Sequence, residues 1–132
     1  MCSHFSLTPS DSEDVAASLQ ANWQSPLQSH YSPSNRIGPM DAHWLLLRRD
    51  GRRVLDEGSL GLYRKARSGL LINLRSERIG RQPSFRDAYL HRRCLVPADS
   101  FYEWTGEKGA RVPFRFRPRR GGLILFAALY EE

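Results

Sequence analysis

The sequence predicts an α+β domain, a strongly bent, barrel-like and mostly antiparallel sheet with a few short flanking helices. Three observations lead there. Short strand-like runs recur along most of the chain, punctuated by turn signals such as Asp50-Gly51 and the Arg-Arg-Gly-Gly run at 119–122. Only two segments carry helical spacing. The length of 132 residues suits one domain with a modest core.

Residues 10–23 read as a helix. Ser10 and Glu13 have capping-box spacing, and Val15, Leu19 and Trp23 recur every fourth residue as one apolar face. Residues 24–40, rich in Pro, Ser and Asn, read as a long loop. Residues 43–58 read as a hairpin around Asp50-Gly51. Residues 69–77 read as a strand, 83–92 as a short helix with Phe85 and Tyr89 on one side, and 94–104 as strand around a Pro-Ala-Asp turn. Apolar and arginine residues alternate over 112–118, which predicts a half-exposed strand. The unbroken apolar run 123–130 predicts a central strand. Because the chain stops just after that strand, residues 1–132 are expected to form a single domain that is incomplete at its C-terminus.

The formal charge of +6, with a pI near 9.9, favours an anionic partner, of which nucleic acid is the commonest. The charge is carried almost wholly by arginine, the better phosphate fork; Lys65 and Lys108 are the only lysines. Genome base composition is the plainer explanation of that usage. No apolar run approaches the ~20 residues a membrane span needs, and no secretory leader is visible. The expected location is cytoplasmic, so Cys2 and Cys94 are expected to be reduced thiols. No Cys/His spacing suggests a structural zinc site, and no metal or cofactor is expected.

Cys2 follows the initiator methionine. If Met1 is removed, an α-amine and a thiol stand on adjacent carbons, with reference pKa values of about 7.7–8.0 and about 8.5. A 1,2-aminothiol condenses with aldehydes: the amine forms an imine, and the thiol closes a thiazolidine on the imine carbon. The amine could equally activate the thiol, as in N-terminal nucleophile hydrolases. Taken alone, Cys2 is equally readable as part of a frayed terminus. If 69–77 is a strand, Asn73, Arg75 and Glu77 share a face; an amide can orient an amine or carbonyl, and a guanidinium can hold phosphate. An ordinary exposed face is the alternative. Glu103 stands among aromatics, where desolvation would raise its pKa toward acid–base use, unless it is solvated on an edge strand. Cys94, in an apolar run, reads as a core thiol.

The order of these features is more specific than any one of them. Met-Cys at the start, Ile-Asn-Leu-Arg-Ser-Glu at 72–77, and the continuous run from Pro83 to Trp104 resemble the SRAP family (SOS response-associated peptidase). Members crosslink covalently to abasic sites in single-stranded DNA. The resemblance implies that Cys2 is the nucleophile, that Asn73 holds the N-terminus and the sugar-derived aldehyde, and that Glu103 shuttles protons and cuts any propeptide. It implies that Arg75, Arg86 and the residue at His4 contact DNA. The implied partner is single-stranded DNA with abasic sites, bound by a monomer associated with the nucleoid. The family usually places Gly-Arg where Ser3-His4 stand, and Gly where Ser100 stands. Its C-terminal His-x-Arg-x-Pro has no counterpart among the four histidines here. Upstream, 43–66 is similar in layout only. Two rival readings follow: a DNA-binding module without the covalent chemistry, and a hydrolase that uses Cys2 and Glu103 on peptides.

Overall fold

The computed structural model describes residues 2–63 and 69–132. Its elements run β1 (His4–Leu7), α1 (Ser12–Leu19), β2 (Asn22–Trp23), a 3-10 turn (Leu27–His30), β3 (Ser34–Ile37), β4 (Ala42–Arg49), β5 (Arg52–Ser59), β6 (Leu62–Tyr63), β7 (Leu70–Leu71), α2 (Ser76–Ile79), α3 (Pro83–His91), β8 (Arg93–Ala98), β9 (Ser100–Thr105), β10 (Val112–Phe116) and β11 (Ile124–Leu129). Part of the 43–66 layout resemblance, from Arg64 onward, lies outside the described residues, as does Met1.

Asp50-Gly51 closes the β4–β5 hairpin. Both residues have positive φ, 49° and 76°, which the twist of a two-residue hairpin turn demands. β4 and β5 pair along their whole length, from Ala42↔Ser59 to Arg49↔Arg52. Around them the second sheet has the order β11-β8-β4-β5-β2, antiparallel except for the short parallel β2–β5 pair. The first sheet has the order β10-β9-β1-β3, antiparallel throughout. The α+β, mostly antiparallel expectation therefore holds, but the sheets do not close into a barrel.

The chain passes from the second sheet back to the first through a single residue. Asp99 alone separates β8 from β9, and its carboxylate accepts hydrogen bonds from the hydroxyls of Ser6 and Thr8 and from the Thr8 amide at 2.8 Å. Ser6 and Ser100 are fully buried and hydrogen-bond each other, and Arg115 Nε donates to Ser100 Oγ at 2.8 Å. Buried hydroxyls need such partners. The core lies between the sheets and α1. It holds Phe5 and Leu7 of β1, Val15 and Leu19 of α1, Leu46 and Leu55 of the hairpin, and Val96 of β8. Each such side chain stabilises the fold by about 1.5–3 kcal/mol when fully buried.

Several expectations need correcting. Asp11, not Ser10, caps α1, accepting from the Glu13 amide at 2.8 Å; Asp is as good a cap as Ser and sits one residue nearer the first turn. Trp23 lies in β2, past a left-handed Gln20 that ends the helix. The 24–40 loop contains β3, which pairs with β1. The 69–77 strand shrinks to Leu70–Leu71; Arg75 stands at the N-cap position of α2 without a side-chain capping bond, so Asn73, Arg75 and Glu77 share no strand face. α2 instead packs on α3, with Gly80 against the Tyr89 ring. β10 is exposed along its whole length. β11 is an edge strand: Phe126 and Ala128 pack on the core, whereas Leu125 is 42% exposed. Continuous apolarity implied cover on both faces, and only one has it. Among the described residues, no helix is long and apolar enough to cross a membrane.

Candidate active site around Cys2

β1 fixes where Cys2 lies. It is clamped between β9 (His4↔Tyr102, Phe5↔Phe101, Ser6↔Ser100) and β3 (Phe5↔Ile37). Phe5 and Leu7 point into the core, so a one-residue slip would turn both outward. Cys2 therefore enters the fold in fixed register, just ahead of β1 and beside the Tyr102–Trp104 stretch of β9.

Cys2 is half-buried. Its thiol donates to the His4 carbonyl at 3.2 Å, and the Asn73 side-chain amide donates to the Cys2 carbonyl at 2.8 Å. Burial pushes the Cys2 thiol above its ordinary pKa. The His4 contact opposes that push, and the negative charge of Glu103 adds to it. The resting sulfur is therefore a protonated thiol held near a carboxylate. Asn73, from the connection between β7 and α2, and Glu103, from β9, both named from the sequence, thus lie near Cys2.

His4 also belongs to the cluster, but as a packed ring. Its Nδ1 is 2.9 Å from Ser3 Oγ, and its ring meets Trp104 edge-on at 5.3 Å. It lies over Gly38, where an added Cβ would come within 2.8 Å of Nε2. A Cβ at position 38 would push that ring aside. The two positions that depart from the Gly-Arg pattern thus partner each other. Ser100, the third departure, is held by Ser6 and Arg115.

Arg75 and Arg86 are exposed, the first at the start of α2, two residues past Asn73, the second on α3. The described contacts do not tie Arg86 to Cys2. Of the other histidines, His30 faces Glu57 at 3.5 Å, His91 ends α3, and His43 is buried against Phe5, its pKa lowered by burial. None of their described contacts involves Cys2, Asn73 or Glu103. Cys94 is buried, its pKa pushed up to about 11, as a core thiol should be. Among the described residues, no group of His, Cys, Asp and Glu is placed to hold a metal ion. The Ser6–Asp99–Ser100–Arg115 network beneath the site escaped the sequence reading, since Asp99 signalled only a turn.

Fold and cluster together define a class: an α+β domain with a cysteine at its second position, delivered by an inner strand to an asparagine and a glutamate. Comparison with known proteins makes the class specific. All of residues 1–132 match the family described as SOS response associated peptidase (SRAP), and the chain belongs to that family. It is 30% identical over 146 residues to the abasic site processing protein YoqW of Bacillus subtilis, and equally so to YobE of the same organism. Both alignments cover 100% of this chain, and 61% of YoqW and 62% of YobE. The chain thus spans about three fifths of the length of these relatives. Among solved structures, a Bacteroides thetaiotaomicron protein is similar with a TM-score of 0.77 at 20% identity, over 97% of this chain and 59% of that one. A phage-related protein of Bordetella bronchiseptica has a TM-score of 0.76 at 25% identity, over 97% and 60%.

Proposed function

We propose that this chain captures abasic sites in single-stranded DNA through Cys2, after Met1 is removed. The observation that carries the reading is the 2.8 Å hydrogen bond from Asn73 to the Cys2 carbonyl, which holds the terminus beside Glu103. The names of the relatives, abasic site processing proteins, agree with it.

An abasic sugar is a masked aldehyde. Ring opening exposes the carbonyl carbon, and the Cys2 amine adds to it and expels water, giving an imine. The thiol then adds across that bond: sulfur to carbon, its proton to nitrogen. The five-membered thiazolidine forms with no change of oxidation state. Glu103 accepts and returns the protons, and its nearness to the sulfur suits it to take the thiol proton. Arg75 and Arg86, both exposed, hold the flanking phosphates in this reading, and binding of the strand should weaken with salt.

The test is to mix Met1-processed protein with an abasic single-stranded oligonucleotide and look for a heat-stable crosslink on a denaturing gel. Intact mass reports whether Met1 is gone. No crosslink, or the same crosslink in Cys2→Ala, refutes the proposal. A second reading is a binding module without the covalent step, which the net charge of +6 supports by itself. Salt-dependent binding of intact single-stranded DNA without crosslinking would select it.

A further inference from the structure

The β4–β5 hairpin carries an arrangement that the Cys2 chemistry does not use. Its last two pairs set arginine directly against arginine, Arg48↔Arg53 and Arg49↔Arg52. Like charges opposite each other on an antiparallel pair are destabilising. Two of the four are answered. Arg49 bonds Asp56 at 2.6 Å and Gln24 at 2.8 Å, and Arg53 donates to the Leu19 carbonyl at 3.0 Å. Among the described residues, Arg48 and Arg52 have no acidic partner.

Those two arginines line a cleft of about 420 Å³ with Gln20, Asn22, Gly51 and Arg53. Its walls hold three guanidinium groups and two amides, and no carboxylate. On the hairpin's other side a second cleft shares Arg52 and adds Arg49, Gln24 and Asp50. Planar guanidinium forks match phosphate oxygens, and an anion seated between them would relieve the cross-strand repulsion. The first cleft is the phosphate seat; the second also carries the Asp50 carboxylate, and its Arg49 is already paired with Asp56, so what it adds is the shared Arg52.

We propose that the hairpin tip is a second binding site, for backbone phosphates of a nucleic-acid strand, remote from Cys2. The opposite end of the hairpin borders the cysteine cluster, because Asp41 bonds the Gly38 amide and Gly38 lies under His4. Eight residues of β4 separate the ends, about 25 Å. At about 3.4 Å per phosphate in a stacked strand, that is a reach of roughly seven nucleotides. The nature of the polyanion rests on the proposed DNA-binding role; the clefts themselves owe nothing to Cys2.

The test compares the full chain with an Arg48→Gln/Arg52→Gln double variant, using fluorescent single-stranded oligonucleotides of about 5 and about 20 nucleotides. For the long strand, affinity should fall on the order of tenfold at low salt, and the slope of log K against log salt should shrink by about 1.4, for two lost phosphates. A short abasic strand held at Cys2 cannot reach the tip and should crosslink to the two proteins alike. Unchanged long-strand affinity and slope overturn the inference. So does an equal loss of crosslinking on short and long abasic strands, or displacement of the long strand by inorganic phosphate at constant ionic strength, which would assign the cleft to a free anion. An Arg48→Lys variant should keep the slope, and the double variant should melt no lower than the parent, since it removes a repulsion. If neither protein crosslinks, the Cys2 reading fails while the binding difference remains readable.

Discussion

Asn73 offers the sharpest probe of the cysteine site, because a single atom of it makes the contact with Cys2. The bond from Nδ2 to the Cys2 carbonyl joins residues 71 apart in sequence. A neutral hydrogen bond of this kind contributes about 1 kcal/mol, and the half-buried Cys2 carbonyl can turn to water once the amide is gone. Asn73→Ala should therefore lower the melting temperature only modestly. Its effect on chemistry should be larger, since a displacement of about 1 Å in a reacting group can cost about 100-fold in rate. The expected slowing of crosslinking lies between about fivefold and about 100-fold, with the affinity for intact single-stranded DNA unchanged. Asn73→Asp keeps the shape but turns a carboxylate oxygen toward the carbonyl. It also adds a second negative charge near a thiol whose pKa burial and Glu103 already raise. It should crosslink more slowly than the alanine variant. Initial crosslinking rates on an abasic oligonucleotide, with thermal melts and anisotropy run alongside, decide the matter. Parental rates in both variants, with normal melts, would refute the positioning argument.

Three further outcomes follow from the described geometry. Alkylation by iodoacetamide should modify Cys2 with a pH midpoint above that of free cysteine, while Cys94 reacts only after unfolding; peptide mapping separates them, and fast native labelling of Cys94 would contradict its burial. Burial raises the Asp99 carboxyl, but hydrogen bonds from Ser6 and Thr8 and the charge of Arg115 outweigh it and hold its pKa below the ordinary range. Its stabilising contribution is thus present above about pH 4 and lost as pH falls, so Asp99→Asn should flatten the acid limb of a urea-midpoint profile; an unchanged limb would count against the corner network. Burial lowers the pKa of His43, so the native state prefers the neutral ring and stability should decline as pH drops below about 6.5. His43→Leu should remove that slope, and an identical slope in the variant would show the titration to lie elsewhere.

Local chemistry made the legible parts legible. Asp50-Gly51 announced the hairpin because few residues tolerate two successive positive φ angles, and Phe85 within 83–92 marked a helix that forms as read. The alternation from Cys94 to Trp104 gave both strands, yet said nothing of the change of sheet at Asp99, which depends on Ser6 and Thr8 at the other end of the chain. Asn73 was singled out as part of a strand face, and the structure brings it to Cys2 by another route. It lies outside any strand, and its amide is used by a backbone group that no local pattern could reveal. β11 misled because apolarity reports what a strand could bury, not whether a neighbour lies on each side.

The departures from the family pattern also change meaning once placed in space. Ser3 and His4 look like independent losses beside Cys2, but they hydrogen-bond each other, and His4 fills the space above Gly38 and against Trp104. Arginine at position 4 would have to displace that packing or extend past it into solvent. Ser100 is held in the same way, its hydroxyl shared by Ser6 and Arg115. The scaffold around Cys2 is thus internally consistent, while the cationic contact that an arginine would supply there is gone. The net charge of the chain is nevertheless +6, with four arginines gathered at the far end of the hairpin that begins beside His4. If those arginines hold phosphates, the strand is gripped several nucleotides from the reacting carbon, and local tightness at the lesion matters less than the length of strand engaged. Crosslinking rate under subsaturating DNA should then depend on oligonucleotide length, and the dependence should vanish at saturation, where binding no longer limits the reaction.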